Sequence, residues 1–231
     1  MTQTLMTQRS LFKKKIVAFS VPFFVLLLAF IIHQHDPKLY RIIFGLDSEG
    51  AYGEWIQFIC YGLACVVGVM TFRRLSAMNL KKESWLMALF FLGCLVLALE
   101  EISYGQWIFD WESPEIFKEI NTQQETNLHN IRDGVNIAAQ LHILFMLVGF
   151  FGGASWVLKP YINGLFADLL CVDWHLSSYF FPVFLFYFYY DYIRPSFFII
   201  GNEQELFELI LSFGFISLAA SNYRKALAVA P

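Results

Sequence analysis

Six apolar runs, each near the length a helix needs to cross a bilayer, constrain this chain more than any other feature. They cover residues 16–32, 54–72, 85–103, 141–158, 176–193 and 205–221. A spanning helix needs about 20 mostly apolar residues, and in hydrocarbon a helix satisfies its own backbone polar groups. Charged residues are only 15% of the chain, where a soluble domain carries about 25%. The sequence predicts an all-α, polytopic transmembrane bundle of about six spans. No repeat, low-complexity tract or long linker interrupts it, so one transmembrane domain over 1–231 is expected.

The first run follows Lys13, Lys14 and Lys15, as the core of a signal peptide would. It is longer than such a core and no small-x-small site follows it, so a retained anchor is expected. Residues 162–172 are too short to cross and suit an interfacial or re-entrant piece before the fifth span. Cys60, Cys65, Cys94 and Cys171 lie in or beside apolar runs without CxxC spacing and read as free thiols. A net charge of −3 argues against a nucleic-acid partner.

Short-loop lysines and arginines set orientation. With the N-terminus inside, Arg9, Lys13–Lys15, Arg73, Arg74, Lys81, Lys82, Lys159, Arg224 and Lys225 face the cytoplasm, 11 of the 16 basic residues. An even number of spans returns the C-terminus to the same side. The loops 34–53 and 104–135 then lie outside, with most of the acidic residues. The expected location is the cell membrane, as a multi-pass protein with its polar site facing outward.

That site centres on Glu100-Glu101-Ile102-Ser103-Tyr104-Gly105-Gln106. The apolar stretch before Glu100 is too short to cross alone, so both carboxylates are drawn into the bilayer. There each ionised group costs about 2–3 kcal/mol or more unless it is paired, protonated or metal-bound. Helical neighbours point about 100° apart, so at least one should face the bundle interior. A second segment, Glu125-Thr126-Asn127-Leu128-His129-Asn130-Ile131-Arg132-Asp133, reads as the start of the fourth helix. His129, Asp133, Asn136 and Gln140 would then form one polar stripe with Arg132 beside it.

Glu100, Glu101, His129 and Asp133 are the candidate catalytic groups. Arg132, Gln106, Asn127 and Asn136 are candidates for holding substrate. Glu100, Glu101 and His129 also offer mixed ligands for a divalent transition metal, Zn²⁺, Mn²⁺ or Fe²⁺. Metal-free acid–base work and a structural network pairing Glu100 or Glu101 with Arg132 remain alternatives. Glu54, Gln57, Asp191, Glu205 and Glu208 lie at the same helix ends. Helix capping accounts for Glu54 and, with Asn202, for Glu205; Asp191 suits Arg194. His142 falls off the stripe and reads as a packed histidine. Asp36-Pro37 and Ser113-Pro114 each read as an N-cap followed by proline, opening short interfacial helices at 37–44 and 114–120.

With these two segments the chain resembles a family of bacterial multi-span membrane proteins. That family carries Glu-Glu-Ile-Ser-aromatic-Gly-Gln at a span's end and Asn-Leu-His-Asn soon after. The resemblance covers about 30 residues and implies a bacterial inner membrane in a Gram-negative source, but brings no activity with it. An HxxxH segment near the last span, as in ceramidase-like hydrolases, is absent. The expected function is a membrane-embedded enzyme acting on a lipid or lipid-linked substrate. The alternatives are a non-catalytic subunit bound to other membrane proteins and an ion-coupled carrier.

Overall fold

The computed structural model describes residues 2–44, 52–121, 124–128, 131, 137–193 and 202–229, with the side chains of 2–9, 137–139 and 202 outside the description. The chain is an all-α bundle, and six of its segments are long and apolar enough to cross a membrane. It is a multi-pass membrane protein.

The first span is α1 (Thr2–His35). Asp36 then accepts the Leu39 N–H at 2.9 Å, the expected N-cap, and starts the short α2 (Pro37–Phe44). The hairpin of α3 (Tyr52–Ala77) and α4 (Lys81–Glu101) packs along its length. Two short helices follow, α5 (Gln106–Phe109) and α6 (Glu115–Ile120). Ser113 is not the cap of α6: Pro114 holds that position, and the Ser113 hydroxyl donates to Gln106 Oε1 at 3.0 Å. Next comes α7 (Ile137–Ala154), then a short α8 (Leu165–Leu170). The fifth span contains α9 (Ser177–Phe188), which ends in a π-helical turn at Tyr189–Ile193. The last span is α10 (Asn202–Ala228).

Two seams hold the bundle. In the first, α10 packs against α3, and α3 against α4. Arg74 reinforces it by donating from Nε to the Ala226 carbonyl at 2.8 Å and from its Nη2 to Leu227 and Val229, so a cation meets the end of α10 where carbonyls lack helical partners. In the second seam α7 packs along α9. A Cβ on Gly149 would sit 2.5 Å from the Phe184 backbone nitrogen, so only glycine lets these helices approach so closely. The two halves meet mainly where α9 packs on α10, burying Phe180, Val183, Ile210 and Leu211.

The 162–172 segment contains α8, which packs on α4 and α10. Lys159 bridges Asp168 at 3.2 Å and Asp173 at 2.9 Å, and Lys225 reaches Asp173 at 3.4 Å. The cysteines are free thiols.

Candidate functional site

The helix α4 stops at Glu101 because, just past Ile102, three residues turn left-handed. Ser103 has φ 47°, Tyr104 φ 54° and Gly105 φ 93°. Two of them carry a Cβ, at a cost of about 1–2 kcal/mol each. Trp107 therefore does not share a helical face with Glu100, as a continuous helix would require. The two glutamates separate as their 100° offset demands. Glu101 is buried in the bundle, while Glu100 turns to the following loop and accepts the Leu128 N–H at 2.8 Å. Partial burial and a hydrogen bond to Glu100 raise the Tyr104 phenol above its ordinary pKa.

The two motif segments are hydrogen-bonded to each other. Glu125 is buried, and its carboxylate accepts from the Ser103 hydroxyl, the Trp107 indole at 3.2 Å and the Asn127 amide at 2.9 Å. Asn127 also donates to Ser103 at 3.1 Å and accepts from Asn121 at 2.8 Å. Gln106 Oε1 takes the Thr126 N–H at 3.1 Å as well as the Ser113 hydroxyl. These bonds tie Asn121, Glu125, Thr126 and Asn127 to the end of α4 and to one another, and Asn121 pairs with Ile131 in an isolated antiparallel bridge.

The expected helix from 125 into the fourth span is thus corrected. Glu125–Leu128 is irregular, and the described part of the helix begins at Ile137. Side chains of Asn121, Glu125 and Asn127 bond locally to the loop backbone and to one another, which competes with helix formation. His129, Arg132, Asp133 and Asn136 lie outside the described residues. Asn127 and Gln106, expected to hold substrate, are engaged in tying the loop together.

Deeper in the bundle, Glu101 meets three carboxylates contributed by other helices. Glu54 of α3 and Glu205 and Glu208 of α10 are all buried and interact electrostatically with it. Gln57, wholly buried, donates from Nε2 to Glu205 Oε2 at 3.1 Å. Its Oε1 has no hydrogen-bond partner among the described residues. The Tyr187 hydroxyl and the Gln204 amide both donate to Glu208 Oε1. Glu205 is therefore more than a helix cap, and Glu54 more than a first-turn acid.

Beside this cluster stands a pair that spacing alone does not reveal. His142 Nδ1 lies 3.1 Å from Asp191 Oδ1, and its ring packs on Tyr187 with centroids 4.8 Å apart. The π-helical turn at Tyr189–Ile193 carries Asp191. Such turns add a residue to the helical register and recur at functional sites.

The polar groups sit at the head of an apolar cleft. Among the described residues α4 and α7 make at most marginal contact. The gap holds a cavity of about 390 Å³ lined by Gly93, Leu97, Leu144, Phe145, Leu211 and their neighbours. A second cavity of about 430 Å³ shares Val148 and Phe215 with the first and continues towards α8. Glu101 is one turn beyond Leu97, Glu208 one turn before Leu211 and His142 one turn before Phe145, so each shares a helix face with a residue of the wall.

No protein-family model, curated protein or solved structure matches this chain. The residues carry the functional argument. Among those described, no three His, Cys, Asp or Glu side chains are placed to hold one metal ion. The suggested ligand set of Glu100, Glu101 and His129 has its histidine outside the description. Glu100 and Glu101 themselves point apart, one to the loop and one to the bundle interior.

Proposed function

We propose that this protein is a membrane-embedded enzyme that carries out acid–base chemistry on a lipid or lipid-linked substrate. The supporting observation is the register between the cleft and the polar groups. Leu97, Leu211 and Phe145 wall an apolar space between α4 and α7, and Glu101, Glu208 and His142 follow one turn further along the same faces. Within a bilayer, an acyl chain is the natural occupant of such a space. Its polar end would then meet the carboxylates and the imidazole.

In this reading Asp191 orients His142 through Nδ1, leaving Nε2 to take or give a proton. Glu101 is the second proton-carrying group, and Tyr187 holds Glu208 in place. Four neighbouring buried carboxylates, Glu54, Glu101, Glu205 and Glu208, suit a site that handles protons. Asn121, Glu125 and Asn127 serve as a structural lock at the end of α4. The bias of basic residues supports an outward-facing site at this end of the bundle, in the cell membrane.

The test uses full-length protein in nanodiscs. Native mass spectrometry should find a co-purified lipid, and incubation with a total lipid extract should deplete one lipid species. A Cβ on Gly93 would meet nothing within 4 Å, so Gly93→Trp should fold and displace the lipid. His142→Gln should keep the lipid and stop its conversion. Conversion by His142→Gln at the wild-type rate would overturn the proposal.

A second reading, a non-catalytic subunit, draws on α1. Only 11% of its apolar window is buried, leaving a broad face for another membrane protein. A stable partner recovered with the chain, together with no lipid turnover, would favour it.

A further inference from the structure

Away from the cleft, the end of the bundle that carries Glu125 has a third cavity, walled mainly by indoles and carboxylates. It has a volume of about 400 Å³ and is lined by Trp55, Trp107, Trp111, Gln106 and three acids, Asp110, Glu112 and Glu125. Trp55 comes from the first turn of α3 and Trp107 from α5; their ring centroids are 6.1 Å apart at an interplanar angle of 50°. The indole N–H of Trp107 donates to Glu125, which fixes that ring. Trp111 follows after the left-handed residue Asp110.

Tryptophans of an ordinary interfacial belt stand singly against lipid. These three are all partly buried and border one hollow. No lysine, arginine or histidine is among its described lining residues. The nearby cation Lys118 is drawn to Glu112 at 3.2 Å and Glu115 at 3.1 Å. Asp110 and Glu125 therefore leave the hollow negative. Indole faces attract cations through their π-electrons, most strongly for weakly hydrated ones such as alkylated ammonium. An anionic group would be repelled. A sugar would stack on the same indoles and is the competing ligand of the test below.

We infer that this recess binds an alkylated ammonium group, with Trp55, Trp107 and Trp111 as the cage and Asp110 and Glu125 as counter-charges. The site is independent of the chemistry proposed for the cleft. The cation's source is either the headgroup of a membrane lipid or a free small solute, and both present the same group.

The experiment places the full chain in nanodiscs of phosphatidylglycerol and titrates choline, read by calorimetry and by saturation-transfer NMR of the methyl protons. The neutral isostere 3,3-dimethylbutan-1-ol and a sodium chloride blank run alongside. Saturable choline binding is expected, with the isostere weaker by about tenfold or more. Trp111→Ala should weaken choline by a similar factor, Trp111→Phe should restore most of it, and Asp110→Asn should cost a few-fold. Circular dichroism and gel filtration verify each variant's fold. If adding phosphatidylcholine to the discs competes with choline, the cation is a lipid headgroup; if choline binding is unaffected, it is a free solute. Absence of saturable choline binding, equal binding of the isostere, full binding by Trp111→Ala, or binding of maltose in place of choline would each overturn the inference.

Discussion

The Ser103 hydroxyl donates to the Glu125 carboxylate, joining a left-handed turn at the end of α4 to a loop 22 residues further along. Asn127 and Trp107 complete the carboxylate's coordination. Ser103→Ala removes one donor from a buried anion and should destabilise the protein by about 1–3 kcal/mol. Asn127→Ala removes contacts to three partners and should cost more. Thermal unfolding in nanodiscs measures both; a Ser103→Ala midpoint equal to wild type would show that the turn does not depend on this bond.

His142→Gln should lower lipid conversion by about 10²–10⁴-fold, the usual range for losing a positioned acid–base group. Asp191→Asn leaves the imidazole in place but removes its orienting charge, so a smaller loss is expected. Both variants should unfold near the wild-type temperature, because the pair is only partly buried. Rates and unfolding curves on the same preparations separate chemistry from folding.

The spans were legible because hydrocarbon admits few solutions, and span length alone drew Glu101 into the bundle. The loop was half legible. Glu125, Asn127 and Gln106 stand out as polar residues in an apolar chain, yet their pattern also fits the first turns of a helix. Asn121, six residues before Asn127, holds the loop by a side-chain bond that periodicity cannot register. The His142–Asp191 pair was hidden for another reason: it depends on how α7 and α9 are aligned, and on a π-helical turn that moves Asp191 out of ordinary register. Glu54 and Glu205 were hidden by good capping explanations, which describe a helix end without saying what that end faces.

Gly149→Ala should weaken the seam between α7 and α9. Its methyl group would press on the backbone nitrogen of Phe184 and the carbonyl of Phe180, neither of which can rotate away. A loss of about 1–3 kcal/mol is expected from such overpacking, whereas Gly62→Ala, where a Cβ meets nothing within 4 Å, should be harmless. Unfolding midpoints of the two variants provide the comparison.

Arg74→Ala should fray the last turn of α10. The guanidinium there satisfies carbonyls of Ala226, Leu227 and Val229, and its loss should cost about 1–2 kcal/mol. Hydrogen exchange should speed up over residues 222–228 with little change in α1.

Both ends of α3 are tied to α10: Gln57 bonds Glu205 at one and Arg74 holds the Ala226 carbonyl at the other. About 150 residues separate these partners, so α3 and α4 must leave the ribosome and enter the membrane long before the chain that completes them exists. During that interval Glu54, Gln57 and Glu101 lack their α10 neighbours, and the insertion machinery must shelter them from lipid. Assembly is therefore gated by the final helix, and a ribosome that stalls before Asn202 would leave an α3–α4 hairpin fit for quality-control proteolysis.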